Sequence, residues 1–151
     1  MSLIDLERFA EAKSVLRKMI PVARRVLRDS NDNTLRLRWM YAETLYKADG
    51  ATLDDLRAAV TTLEDTERIA RRVLGGTHPV AGGLEYELQD ARAALRARHN
   101  AELRAAFKED PSSLSADDRA RAEQLLARDA RKAAKKAARR VSSEKPSPGT
   151  A

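Results

Sequence analysis

Ala23-Arg24-Arg25-Val26-Leu27 returns 47 residues later as Ala70-Arg71-Arg72-Val73-Leu74. At the same offset Phe9 meets Leu56, Ala12 meets Ala59, Leu16 meets Leu63 and Val22 meets Ile69. Further on, Leu37 meets Leu84, Trp39 meets Tyr86 and Tyr41 meets Leu88. At these positions apolar residues meet apolar residues, so the repeat preserves an apolar face as well as a string of letters. A period of this length holds two helices and a turn, the unit from which stacked arrays of helical hairpins are built. The expected class is all-α, and proteins of this build present surfaces to other macromolecules.

The 3.6-residue period runs through the whole repeat region. From Leu3 to Arg28, Leu6, Phe9, Ala12, Leu16, Met19 or Ile20, Ala23 and Leu27 follow at helical steps on one face. Pro21 lies inside that run, where its ring removes a backbone donor and crowds the preceding turn. Its partner in the repeat is Arg68, in an uninterrupted stretch, so a kinked rather than a divided helix is predicted. Asp29-Ser30-Asn31-Asp32-Asn33 is a turn, because short polar side chains compete for backbone hydrogen bonds. A second helix is predicted from about Thr34 to Ala48, closed by Gly50.

Thr52-Leu53-Asp54-Asp55 reads as a capping box opening a third helix that ends at Gly75-Gly76. Pro79 suits the first turn of a fourth. Gly82-Gly83 costs about 1 kcal/mol per glycine relative to alanine, so firm helix is predicted only from near Leu84. Asp110-Pro111-Ser112-Ser113 is a break, and Ser115-Ala116-Asp117-Asp118 opens an alanine-rich helix. The predicted organisation is a helical-repeat domain of about four helices over residues 1–108 and a linker over 109–114. A basic helix over 115–141 and a disordered tail over 142–151 follow.

Arg71-Arg72-Val73-Leu74-Gly75-Gly76-Thr77-His78-Pro79 resembles the junction between repeats in the kinesin light chain-type tetratricopeptide repeat family. Arg8-Phe9-Ala10-Glu11-Ala12 is similar to the opening of that family's second helix, and Thr34-Leu35, Tyr41-Ala42 and Leu45 to its first. The resemblance covers about residues 6 to 98. It implies antiparallel helical hairpins stacked as a short tetratricopeptide-like array, in which the chain opens on a second helix. Residues 34–75 are then one complete repeat and 79–98 a further first helix. The family's groove-facing asparagine falls on Met40 and Glu87. At the first junction Arg28 stands where the second has Gly75, and Asn31-Asp32 where it has His78-Pro79.

Two surfaces stand out. In the family, first helices line a concave groove, which makes Arg36, Met40, Glu43 and Lys47 one stripe, extended by Glu87 and Asp90. That stripe is read two ways, as a solvated charged face and as a peptide-binding one. The other surface is Arg128 to Arg140, in which Arg128, Arg131, Lys132, Lys135, Lys136, Arg139 and Arg140 face one acid, Asp129. Residues 1–111 carry 19 lysines and arginines against 18 acids, and residues 112–151 carry 10 against 5, so the positive charge is concentrated in the C-terminal part. Such a stretch attracts phosphates by counterion release and also resembles a nuclear-import signal. It holds no aromatic residue on which bases could stack.

No cysteine is present, which removes disulfides and thiolate metal sites. His78 sits at a helix start and reads as a cap. His99 lies among Arg96, Arg98 and Asn100, and neither histidine has metal-ligand spacing. No cofactor or metal is expected, and no constellation of catalytic groups converges. The expected role is a protein–protein interaction module rather than an enzyme, binding a peptide segment or partner protein, with no membrane span. The alternative is a basic-tail binder of nucleic acid or an anionic surface, with the repeats as scaffold. The expected location is cytoplasmic, with the nucleus as the alternative that the basic stretch opens. An array this short should leave an apolar strip open on the fourth helix, around Leu84, Leu88, Ala91 and Leu95. That strip would be covered by the basic helix or by weak self-association.

Overall fold

The computed structural model describes the backbone of residues 3–143 and the side chains of residues 8–140. All regular structure among them is helical: α1 (Leu3–Leu27), α2 (Asp32–Tyr46), α3 (Leu53–Leu74), α4 (Pro79–Glu109), a short 3₁₀ turn (Pro111–Ser113) and α5 (Ala116–Ser143). The chain divides into two compact units, Met1–Arg98 and His99–Ala151. The last turns of α4, which the sequence groups with the repeats, therefore belong to the second unit.

Each helix end has a local cause. Asn31 caps α2 by accepting the amide of Asn33 at 2.9 Å. Thr52 and Asp55 form the reciprocal capping box of α3, satisfying amides that the first turn leaves free. His78 Nδ1 accepts the Val80 amide at 3.2 Å at the start of α4, the capping role its position implied. At the far end of α3, Gly75 takes φ +90° while its amide bonds the Arg71 carbonyl at 3.1 Å. Arg28 does the same for α1, with φ +72° and its amide on the Arg24 carbonyl at 3.1 Å. The two junctions share a positive φ and the same amide-to-carbonyl bond, although only one of them uses the residue suited to it.

α1 runs unbroken through Pro21. Pro21 is exposed, so water can take the carbonyl bond its missing N–H gives up. α2 starts and ends two residues earlier than its apolar spacing suggests.

α4 departs further from expectation. It is helical from Pro79 and continues through Gly82-Gly83 rather than starting near Leu84. Tertiary contact offsets the glycine cost: Val80 and Ala81 are buried, and the Trp39 ring lies directly against Gly83.

In the first unit α2 packs against both α1 and α3. The core joins Leu35, Ala42 and Leu45 of α2 with Ala59, Leu63 and Ala70 of α3 and Val80, Leu84, Leu88 and Ala91 of α4. Trp39, Tyr41 and Ile69 pack at its margin. Each fully buried leucine contributes about 1.5–3 kcal/mol. Ion pairs tie the periphery: Lys13 to Asp55 at 2.7 Å, Arg92 to Glu64 at 2.7 Å and Arg71 to Glu85 at 2.8 Å.

The open strip expected on α4 is corrected here. Leu84, Leu88 and Ala91 are buried, and Leu95 is half-buried. These residues face back into the core shared with α2 and α3, so α4 needs no external cover for them.

The second unit pairs the end of α4 with α5 around Leu103 and Ala122, both buried. Arg104 meets Asp129 at 2.8 Å, and Arg121 reaches Asn100 at 3.2 Å. The break between the helices is itself ordered. Asp110 caps the 3₁₀ turn through the Ser112 amide, and Arg119 donates to the carbonyls of Pro111 and Leu114. Ser115 accepts the Asp118 amide at 3.1 Å to open α5. α5 extends to Ser143, past the expected end at Val141, so Ser142 and Ser143 are helical. The remainder of the tail expected to be disordered, residues 144–151, lies outside the described residues.

Candidate functional site

The charged stripe sits on α2 and α4, and half of it is tied together. Lys47 Nζ donates to Glu43 Oε1 at 2.7 Å and to Glu87 Oε1 at 3.1 Å, while the Tyr46 hydroxyl donates to Glu87 Oε2. Glu87 is 8% exposed, a buried carboxylate whose charge is answered on both oxygens. Burial, then the Glu87 carboxylate, pushes the Tyr46 phenol well above its ordinary range. Burial works to lower the Lys47 ammonium, but its bonds to Glu43 and Glu87 outweigh that and raise it. Arg36 pairs along its own helix with Asp32 at 2.9 Å. Asp90 is exposed on α4, and Met40 stands open on α2. Three of the six candidates thus form a brace between α2 and α4, and the other three remain at the surface.

All seven basic residues from Arg128 to Arg140 are exposed on α5. Helical spacing places Arg128, Lys132, Lys135 and Arg139 in one line, with Arg131, Lys136 and Arg140 flanking it and alanines on the opposite side. This is an extended cationic face on a single helix.

A surface that the sequence reading left unremarked lies on α1. Val15, Met19, Val22 and Val26 follow at steps of four, three and four, and each is about half or more exposed, Val26 to 70%. They run beside the buried Leu16 and Ala23, with Leu37 and Met40 of α2 facing them. Two adjoining depressions follow this line. One of about 410 Å³ is bounded by Met19, Val22, Val26, Leu27 and Leu37, and one of about 490 Å³ by Val15, Met19, Leu37 and Met40. Lys18 and Arg8 stand on the rim, with Glu11 the acid among the lining residues. The signal was present in the sequence as a second apolar line on α1, displaced from the one that packs on α2.

Arg38 also lies on α2. It is half-buried, and burial lowers its guanidinium, against which the nearby Asp29 and Asp65 act. Arg24 bonds Asp29 and holds that carboxyl below its ordinary range. No group of three or more histidine, aspartate or glutamate residues is arranged to hold a metal ion among the described residues. No described helix is long and apolar enough to cross a membrane. Compared with known protein families, curated proteins and solved structures, the chain finds no match.

Proposed function

We propose that this chain is a non-enzymatic interaction module of the tetratricopeptide, kinesin light chain-like type that docks a segment of a partner protein. The observation carrying this reading is the uncovered apolar line of α1 and α2, with Val15, Met19, Val22, Val26 and Met40 open to solvent around a packed core. Contiguous exposed apolar surface mark sites of association, and here it lies on rigid helices rather than on a loop. The 47-residue repeat and the junction at Val73-Leu74-Gly75-Gly76-Thr77-His78-Pro79 support the assignment to stacked hairpins. The exposed remainder of the charged stripe, Arg36, Met40 and Asp90, is the second place for a peptide.

A selection of displayed peptides on the full chain tests the proposal. Recovered peptides should bind in the micromolar range and keep most of their affinity as salt is raised, as apolar docking requires. Failure to recover any such peptide would count against the module.

The exposed basic face of α5 favours one second reading, a binder of nucleic acid or an anionic surface. Its signature is affinity for a generic duplex that collapses between low and moderate salt. Replacing Lys132, Lys135 and Arg139 by alanine should remove it.

A further inference from the structure

We infer that the cationic face of α5 binds double-stranded DNA, lying along the major groove with its basic side chains on the phosphates of both strands. This rests on the second reading of α5, as a binder of nucleic acid or an anionic surface, and chooses among the ligands that reading leaves open.

The face stands on an anchored helix. Within the second unit Ala122 is buried, and Leu125 and Leu126 are half-buried. Asp129, the one acid between Arg128 and Arg140, meets Arg104 of α4 at 2.8 Å, so its charge is answered there. Beyond it every residue from Arg131 to Arg140 is exposed, on all sides of the helix.

That exposed stretch repels itself. Arg128 and Lys132, Arg131 and Lys135, Lys132 and Lys136, Lys135 and Arg139, and Lys136 and Arg140 stand four residues apart. Like charges at this spacing disfavour a helix, and no burial offsets them here; the helix preference of alanine does. A polyanion laid along the face removes the repulsion, and the charge is complementary throughout.

Geometry and composition select duplex DNA among polyanions. Residues 128–140 run about 18 Å along the helix, a length over which a duplex carries about ten phosphate charges. Arg131 stands on one flank of the line through Arg128, Lys132, Lys135 and Arg139, and Lys136 and Arg140 stand on the other. With the line toward the groove, each flank meets one row of phosphates. Alanines at the back keep the helix slim, and the B-form major groove admits a helix. The deep, narrow major groove of an RNA duplex does not. Single strands are held by stacking on aromatic rings, and this stretch has none. A helix lying in a membrane surface buries large apolar side chains, whereas the side opposite these charges offers only alanine.

The test titrates the full chain, at matched salt, against four probes. They are a fluorescent mixed-sequence DNA duplex, one of its strands alone, an RNA duplex of the same sequence, and vesicles of phosphatidylcholine and phosphatidylserine. The DNA duplex should bind most tightly. With phosphate contacts from the six basic residues between Arg128 and Arg139, its affinity should fall about a thousandfold from about 50 to 200 mM salt. Lys132→Ala, Lys135→Ala and Arg139→Ala together should about halve the slope of log affinity against log salt. Arg17→Ala, Arg25→Ala and Arg72→Ala together remove the same charge from exposed sites on α1 and α3 and should leave that slope unchanged.

A DNA duplex bound no tighter than its single strand or the RNA duplex would overturn the inference and leave α5 a general binder of anions. Vesicles bound more tightly than the duplex would overturn it in favour of a lipid surface. Equal loss of slope in the two triple variants would also overturn it, by spreading the attraction over the whole chain. Absence of binding to all four probes would remove the inference and the second reading together.

Discussion

The Tyr46 hydroxyl donates to the carboxylate of Glu87, joining α2 to α4 across a buried oxygen. Removing the hydroxyl leaves that oxygen without its donor, a loss that costs about 1–3 kcal/mol. Tyr46→Phe should lower stability by that order near neutral pH. The phenol is raised above its unfolded value of about 10. Its contribution is therefore complete below that pH and is lost as pH rises through the folded value. In urea unfolding the gap between parent and Tyr46→Phe should close on going strongly alkaline, and a gap that stays constant would contradict the assigned role.

Asp55 works in the opposite direction. Its bond from Lys13, followed by those from Thr52, holds its carboxyl below the ordinary range. The stability it supplies is present above the unfolded value of about 3.9 and is lost as pH falls through the folded one. Asp55→Asn should cost about 1 kcal/mol, the scale of a lost cap, and the difference should vanish in acid. Thermal melting across the acid range reads this directly.

Arg28 occupies a left-handed position that Gly75 occupies at the equivalent junction. A side chain there costs about 1–2 kcal/mol, and the greater freedom of glycine in the unfolded chain takes back part of the gain. Arg28→Gly should raise stability by about 0.5–1 kcal/mol. A lower midpoint in urea would show that the arginine side chain contributes more than the strain removes.

Gly83 is the reverse case. Alanine is the better helix former by about 1 kcal/mol, yet a Cβ at Gly83 would come within 3.0 Å of Trp39 Cζ3 and overlap the rest of that ring edge. Overpacking of this kind costs about 1–3 kcal/mol. Gly83→Ala should destabilise the chain, and should cost less in a Trp39→Leu background. A cost that is the same in both backgrounds would separate the two residues.

Leu63 is fully buried in the core, while Leu16 borders the open depression on α1. Both alanine variants should fall in the range of about 2–5 kcal/mol, with Leu63→Ala near the top and Leu16→Ala near the bottom, because neighbours at an open edge collapse more readily. Equal losses in urea unfolding would show that the edge is as tightly packed as the centre.

The sequence by itself determined the helices and most of their ends. Caps and breakers act over four residues, so Thr52-Asp55, Gly75 and Pro79 could be read without knowing their neighbours. It also determined which face of each helix is apolar, and through the repeat that α2 lies between the two Ala-Arg-Arg-Val-Leu helices. Tertiary structure decided what covers each face. The first turns of α4 stay helical through two glycines because Val80 and Ala81 are buried and Trp39 lies against Gly83, and Glu87 is a brace because Tyr46 comes from 41 residues away. The open apolar line falls on α1 rather than on α4 because α4 turns its leucines onto α2 and α3. Periodicity reports that a face is apolar, but burial depends on which distant element arrives there, and no local signal encodes that.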